Sequence, residues 1–185
     1  IFADLFEADD VARDGSVFDR LVTDGDELPL GNFAIKVLHT PGHTPACVTY
    51  IIGDAAFVGD TVFMPDYGTA RADFPGGDAR TLYRSIRKIL NLPKDTRLFT
   101  GHDYPPETRP TPAWEASVAD HRATNIHIHD GIDEAAFVAM REARDKTLAA
   151  PLLILPSLQV NIRAGNLPPA TPEGHVYLRL PVNAI

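Results

Sequence analysis

Gly42-His43, Gly59-Asp60 and Gly101-His102 each follow a stretch of strand-forming or buried-type residues. Glycine at such a point allows a sharp turn and close backbone approach, so its neighbour can point into a cleft. Two imidazoles and a carboxylate repeated in this way require a fold that gathers several strand ends along one edge. Side chains of these types brought together make a metal site suited to zinc or iron. Singly, each residue reads as a satisfied buried histidine or a turn aspartate. As an ordered set they point to metal chemistry.

The surrounding pattern predicts an α/β layered fold, with strands dominating first and helices later. Residues 33–38 alternate apolar and polar and read as a strand, and the Pro41-Gly42 turn leads to a second strand over 47–52. Gly53-Asp54 is a two-residue hairpin signal before a third strand over 55–58. Residues 60–77, rich in glycine, proline and aspartate, read as a long loop. Asp78 caps a helix running to Leu90, with Leu82, Ile86, Ile89 and Leu90 on one face. A short strand is expected over 97–100, then helices over 113–125 and 133–149. From Leu152 the chain reads as a short helix, a proline-bounded loop and an edge strand at 176–180. No internal repeat is present, and 185 residues suit a single domain over 1–185.

Lys plus Arg total 17 against 25 Asp plus Glu, a formal charge of −8. No basic stripe offsets that field, which argues against nucleic acid and anionic membrane surfaces as partners. An anionic substrate would need a local arginine pocket. Cys47 is the single cysteine, so no intrachain disulfide can form, as expected of a reducing cytoplasm. The apolar residues 152–155 sit between Pro151 and Pro156 and fall far short of a membrane span. The chain starts at Ile1 in an acidic stretch with no signal pattern, and an N-terminal portion is expected to be missing.

The strings Thr40-Pro41-Gly42-His43-Thr44, Phe57-Val58-Gly59-Asp60-Thr61 and Gly101-His102-Asp103 resemble the later metal motifs of the metallo-β-lactamase superfamily. Residues 44–50, 68–74, 81–83 and 160–165 are similar to its persulfide dioxygenase branch, above all the bacterial β-lactamase-like hydrolases called Blh. Glyoxalase II, by contrast, usually has a second histidine near Cys47. The resemblance covers residues 18–182 and implies the C-terminal part of an αββα sandwich. It implies ferrous iron held by His43, Asp60 and a histidine of an earlier His-x-His-x-Asp-His motif. No histidine precedes His39 here.

Glutathione persulfide and dioxygen are the implied substrates, sulfite and glutathione the products, and cytoplasmic sulfide detoxification the setting. Tyr104 and Arg163 are implied to line the thiol-substrate pocket. Arg71 joins them as a guanidinium suited to gripping carboxylates, with Asp73 holding it in place. A homodimer is compatible with this reading. The first alternative is a zinc hydrolase of thioesters or lactones, in which Asp60 bridges two metals and His102 completes the second site. The other is a truncated, non-catalytic binding domain.

Other polar residues read differently. His127-Ile128-His129-Asp130 lacks the final histidine of the earlier motif and follows a helix, so no ligand role is assigned. His39 and His43 are spaced like helical zinc ligands, but Pro41-Gly42 breaks a helix and leaves His39 as a neighbour that orients the site. Cys47, within a strand, and Trp114, at a helix start, are assigned to packing. His121 and His175 have no evident partners.

Overall fold

The computed structural model describes residues 2–182. The chain runs α1 (Phe2–Leu5), β1 (Glu27–Leu30), β2 (Phe33–His39), β3 (Val48–Ile52), β4 (Ala55–Gly59), α2 (Ala79–Leu90) and β5 (Arg97–Thr100). It continues through β6 (Glu115–Ser117), α3 (Val118–Thr124), α4 (Glu134–Asp145) and α5 (Ile154–Asn161). Two units result: Val22–Leu148, and the segments that flank it on either side.

In Val22–Leu148 a six-stranded sheet has its strands in sequence order. β1 to β4 form an antiparallel meander, β5 runs parallel to β4 after the α2 crossover, and β6 returns antiparallel to β5. The two-residue Gly53-Asp54 turn closes the Ile52↔Ala55 pair, as its sequence signal predicts. Period-two alternation sends Ala56, Val58 and Leu98 to one face, where they meet Leu82, Ile86, Ile89 and Leu90 of α2. Val118, Ile128 and Phe137 complete that core. Each such side chain, fully buried, contributes roughly 1.5–3 kcal/mol, which is why the i, i+4, i+7 spacing on α2 fixes the helix to the sheet. Asp78 caps α2 by accepting from the Thr81 amide at 2.6 Å, while Arg87 and Lys88 stand in its last turn, where cations favour the helix dipole.

Several expectations need correction. Residues 113–125 are not one helix: β6 comes first, and Ser117 with Asp120 forms a capping box that starts α3. The open edge of β5 takes up residues 115–117 as a partner, a tertiary demand that overrides local helix preference. Trp114 therefore comes just before a strand, not at a helix start, and is 63% exposed, not packed. β1, unforeseen, exists because β2 has an edge to pair. Cys47 lies just before β3, with its thiol 3.1 Å from the Thr44 hydroxyl. α4 ends at Asp145, short of residue 149.

In the other unit, residues 176–180 form no strand. The Gln159 side-chain amide on α5 instead accepts from the Arg179 N–H and donates to its C=O, as a neighbouring strand would. In the same unit Arg163 binds Asp10 through Nε and Nη2, at 2.8 and 2.7 Å. Among the described residues, no helix is long and apolar enough to cross a membrane.

Candidate functional site

His43 lies in the loop between β2 and β3, and α2 dictates that loop's path. Gly42 has φ +134°, and a Cβ there would stand 2.4 Å from the Leu82 backbone, so only glycine lets the loop touch the helix. The Gly42 carbonyl accepts from Asp78 N–H at 2.9 Å, and Ser85 Oγ donates to the Pro41 carbonyl at 2.6 Å. His39 braces the same loop, its Nε2 lying 2.9 Å from the Pro45 carbonyl. The His43 side chain is thereby largely buried, with its ring 5.0 Å from that of Phe74.

The two ring nitrogens of His43 have different partners. Nδ1 lies 2.8 Å from the Arg71 carbonyl, which can only accept, so Nδ1 carries the proton. Nε2 keeps its lone pair and faces Asp60, 3.9 Å from Oδ2. On the other side of Asp60, His102 Nε2 lies 3.5 Å from Oδ1. Asp60 follows β4 and His102 follows β5, two neighbouring parallel strands whose C-terminal ends share an edge. Gly101 N–H donates to the Gly59 carbonyl at 2.9 Å, and a Cβ on Gly101 would stand 2.7 Å from Asp60 Oδ1. The absent side chain is the space into which the carboxylate turns.

Aromatic rings flank His102. Tyr104 lies 5.9 Å from the His102 ring, stacks on Tyr67 at 4.8 Å and meets Phe63 edge-on at 5.3 Å. Burial raises its phenol pKa, and the Asp60 charge and Tyr67 push the same way, so the hydroxyl stays protonated at neutral pH. Arg109 fixes the loop after His102: it holds Asp103 at 2.9 and 2.7 Å and Asp66 at 3.1 Å through Nη2. Its hydrogen bonds hold the Asp103 carboxyl below the usual carboxylate range, despite some desolvation.

The structure thus brings His43, Asp60 and His102 together, with Tyr104 beside them and the Arg71 backbone behind. The Arg71 guanidinium binds Asp73 at 2.6 and 2.7 Å, in the pairing expected from sequence. Arg163 belongs to the other unit, where Asp10 holds it. His127 and His121 are buried and structural, not ligands: His127 Nδ1 accepts from Thr69 N–H at 3.0 Å, and His121 Nδ1 meets Asn125 at 3.1 Å. The Arg71 carbonyl escapes sequence reasoning altogether, because a backbone oxygen leaves no trace in side-chain identity.

Two imidazoles around a carboxylate, one with its tautomer fixed by a second hydrogen bond, fit a transition-metal ion in donor type. The His–Asp separations are too long for direct hydrogen bonds. Among the described residues no group of three or more His, Cys, Asp or Glu gathers tightly enough to hold an ion by itself. His43 and Asp60 therefore form an open donor set.

The metallo-β-lactamase superfamily model matches residues 3–102. A β-lactamase hydrolase-like protein of Xylella fastidiosa is 52% identical over the whole chain, which spans 42% of that protein's length. The human mitochondrial persulfide dioxygenase ETHE1 is 42% identical over 93 residues, 49% of this chain and 36% of that protein. The solved structure of ETHE1 from Myxococcus xanthus superposes with a TM-score of 0.73 at 30% identity, covering 84% of this chain and 65% of that one. Motif, sheet and site geometry agree with these likenesses, and the chain belongs to the metallo-β-lactamase superfamily.

Proposed function

We infer that this chain carries the metal-binding edge of a non-haem iron persulfide dioxygenase, which converts glutathione persulfide, dioxygen and water to glutathione, sulfite and two protons. The observation that carries this reading is His43, with Nδ1 tied to a carbonyl and Nε2 presented beside Asp60. Support also comes from the similarity to the human persulfide dioxygenase. His43 and Asp60 are the residues that would hold the iron, an imidazole and a carboxylate of the donor types such a site uses. When bound there, ferrous iron would supply one centre for dioxygen and the terminal persulfide sulfur, so that an encounter of separate molecules would become a local reaction.

The chain's own residues do the rest. Phe74 covers one side of His43 and limits water there. The protonated Tyr104 hydroxyl donates to the anionic sulfur. Arg71, fixed by Asp73, sets positive charge near the glutathione carboxylates. The setting is cytoplasmic sulfide detoxification.

The native protein, purified without oxygen, is expected to hold iron near one per chain and to consume oxygen when given glutathione persulfide. Asp60→Asn and His43→Ala should each lower both. Iron-loaded protein that takes up no oxygen with this substrate sinks the reading. A second reading rests on His102, whose Nε2 lies 3.5 Å from the free side of Asp60. With Asp60 bridging two zinc ions the site would hydrolyse thioesters. Two zinc per chain and cleavage of a glutathione thioester would establish that instead.

A further inference from the structure

Arg141 and Asp145 form a buried ion pair on α4 that the metal site does not itself require, 1% and 5% exposed respectively. Arg141 Nε donates to Asp145 Oδ1 at 2.9 Å, and Nη2 lies 2.7 Å from the same oxygen. Nη1 reaches across to the Thr69 carbonyl at 3.1 Å. The second carboxylate oxygen, Asp145 Oδ2, accepts from the Ala72 N–H at 2.8 Å. A buried pair of this kind contributes little net stability compared with apolar residues of the same size. What it does here is specify a geometry.

The Ala72 N–H and the Arg71 C=O are the two ends of one peptide unit. Among the described residues no peptide bond is cis, so these two groups point in opposite directions. The Asp145 carboxylate takes one end, and His43 Nδ1–H is donated to the other at 2.8 Å. Nearby, Asn125 Nδ2 donates to the Gly68 carbonyl at 3.2 Å and His127 accepts from Thr69 N–H. The backbone over 68–72 is thus held at Gly68, Thr69 and Ala72, and it offers the Arg71 carbonyl to His43.

We propose that Asp145, held by Arg141, is a positioning residue for His43 and acts on it through the Arg71–Ala72 peptide group. The inference rests on the reading of His43 as a metal ligand. Metal-bound histidines are commonly fixed by a carboxylate or carbonyl on the other ring nitrogen. Here the two devices operate in series. The carboxylate orients the peptide plane and polarises it, which makes the far carbonyl a stronger acceptor, since hydrogen bonds in a chain strengthen one another. The carbonyl then holds the Nδ1–H tautomer and leaves the Nε2 lone pair aimed at the site. Asp145 thereby controls a ligand that lies on a different loop and never touches it.

The test compares the native protein, as parent, with its Asp145→Asn variant and with the double variant Arg141→Met/Asp145→Leu. The double variant replaces the ion pair with apolar groups and keeps the test open should the single one, with Arg141 left unpaired, fail to fold. Nitrogen NMR of the metal-free chain, labelled at histidine, reads the His43 tautomer. Competition with a chelator reads ferrous iron affinity. The parent should show His43 protonated at Nδ1. The double variant should lose that preference and bind iron about 10-fold more weakly, within the range seen when a metal ligand loses its supporting hydrogen bond. Asp145→Asn, which keeps an acceptor but no charge, should fall between. Folded variants with an unchanged tautomer and iron affinity within twofold of the parent would overturn the proposal and leave the pair a packing element. A tautomer that shifts with iron affinity, in native protein that loads iron yet takes up no oxygen with glutathione persulfide, would uphold the relay and instead refute the dioxygenase reading.

Discussion

Gly42 and Gly101 show how one missing methyl can serve either the fold or the site. A Cβ at Gly42 would meet the backbone of Leu82 at 2.4 Å, and at φ +134° the conformation is already one that L residues rarely adopt. Helix backbone cannot move aside, so Gly42→Ala should cost more than about 1 kcal/mol, read as a lower denaturant midpoint. A Cβ at Gly101 would meet Asp60 Oδ1 at 2.7 Å, and that atom belongs to a side chain able to rotate. The Gly59 backbone, 3.1 Å away, need give only slightly, so Gly101→Ala should cost less stability than Gly42→Ala, yet bind metal roughly 10-fold more weakly because the carboxylate is displaced. Equal loss of metal and of stability in both variants would contradict this separation. Sequence alone marked both glycines as neighbours of site residues. It did not reveal that one leans on a helix and the other on the carboxylate, because neither contact is local.

At the scale of elements, α2 is the part most completely written in the sequence. Its cap and its apolar face are short-range features, and each is found where the pattern placed it. The cap also bears on the site, since the Asp78 N–H bonds the Gly42 carbonyl beside His43. Asp78→Ala is expected to cost about 1 kcal/mol, as lost helix caps do. Because the backbone contact to Gly42 survives, metal affinity should change less than stability; a variant with normal stability but no metal would show the cap to be a site residue. β1, β6 and the residues at 176–180 were less legible. Whether a short segment pairs depends on an open strand edge beside it, and an edge is a property of the assembled sheet. The Gln159 amide illustrates the point: it satisfies the Arg179 backbone without any strand.

At the scale of the whole molecule, the feature with measurable consequence is the burial of neutral histidines in the Val22–Leu148 unit. Desolvation lowers the His121 and His127 imidazoles to about 4, and for His127 the positive charges of Arg141 and Arg144 act in the same direction. The unfolded chain takes up those protons near pH 6.5, at about the ordinary histidine value. Between the two values the unfolded state binds more protons, so stability is full above about pH 6.5 and falls as pH drops toward 4, by a few kcal/mol in all. Denaturant midpoints at about pH 7.5 and about pH 5 should therefore differ in the parent, and His127→Asn should shrink the difference. Equal losses in parent and variant would assign the acid sensitivity to other groups. Both histidines looked partnerless or like decoy ligands in the sequence, and their neighbours Asn125, Gly68 and Thr69 come from separate stretches of chain.

The sequence by itself determined the α/β layering, His43, Asp60 and His102 as the candidate set that the fold brings together, the Arg71–Asp73 pairing and the superfamily. These depend on periodicity, turn chemistry and residue type, which are local or carried by short motifs. Only the tertiary structure decided which ring nitrogen of His43 is free, that Trp114 is exposed, and that Arg141 and Asp145 reach the site through a peptide bond. Each of those depends on where backbone groups from distant segments come to rest, and every residue carries the same backbone groups whatever its side chain.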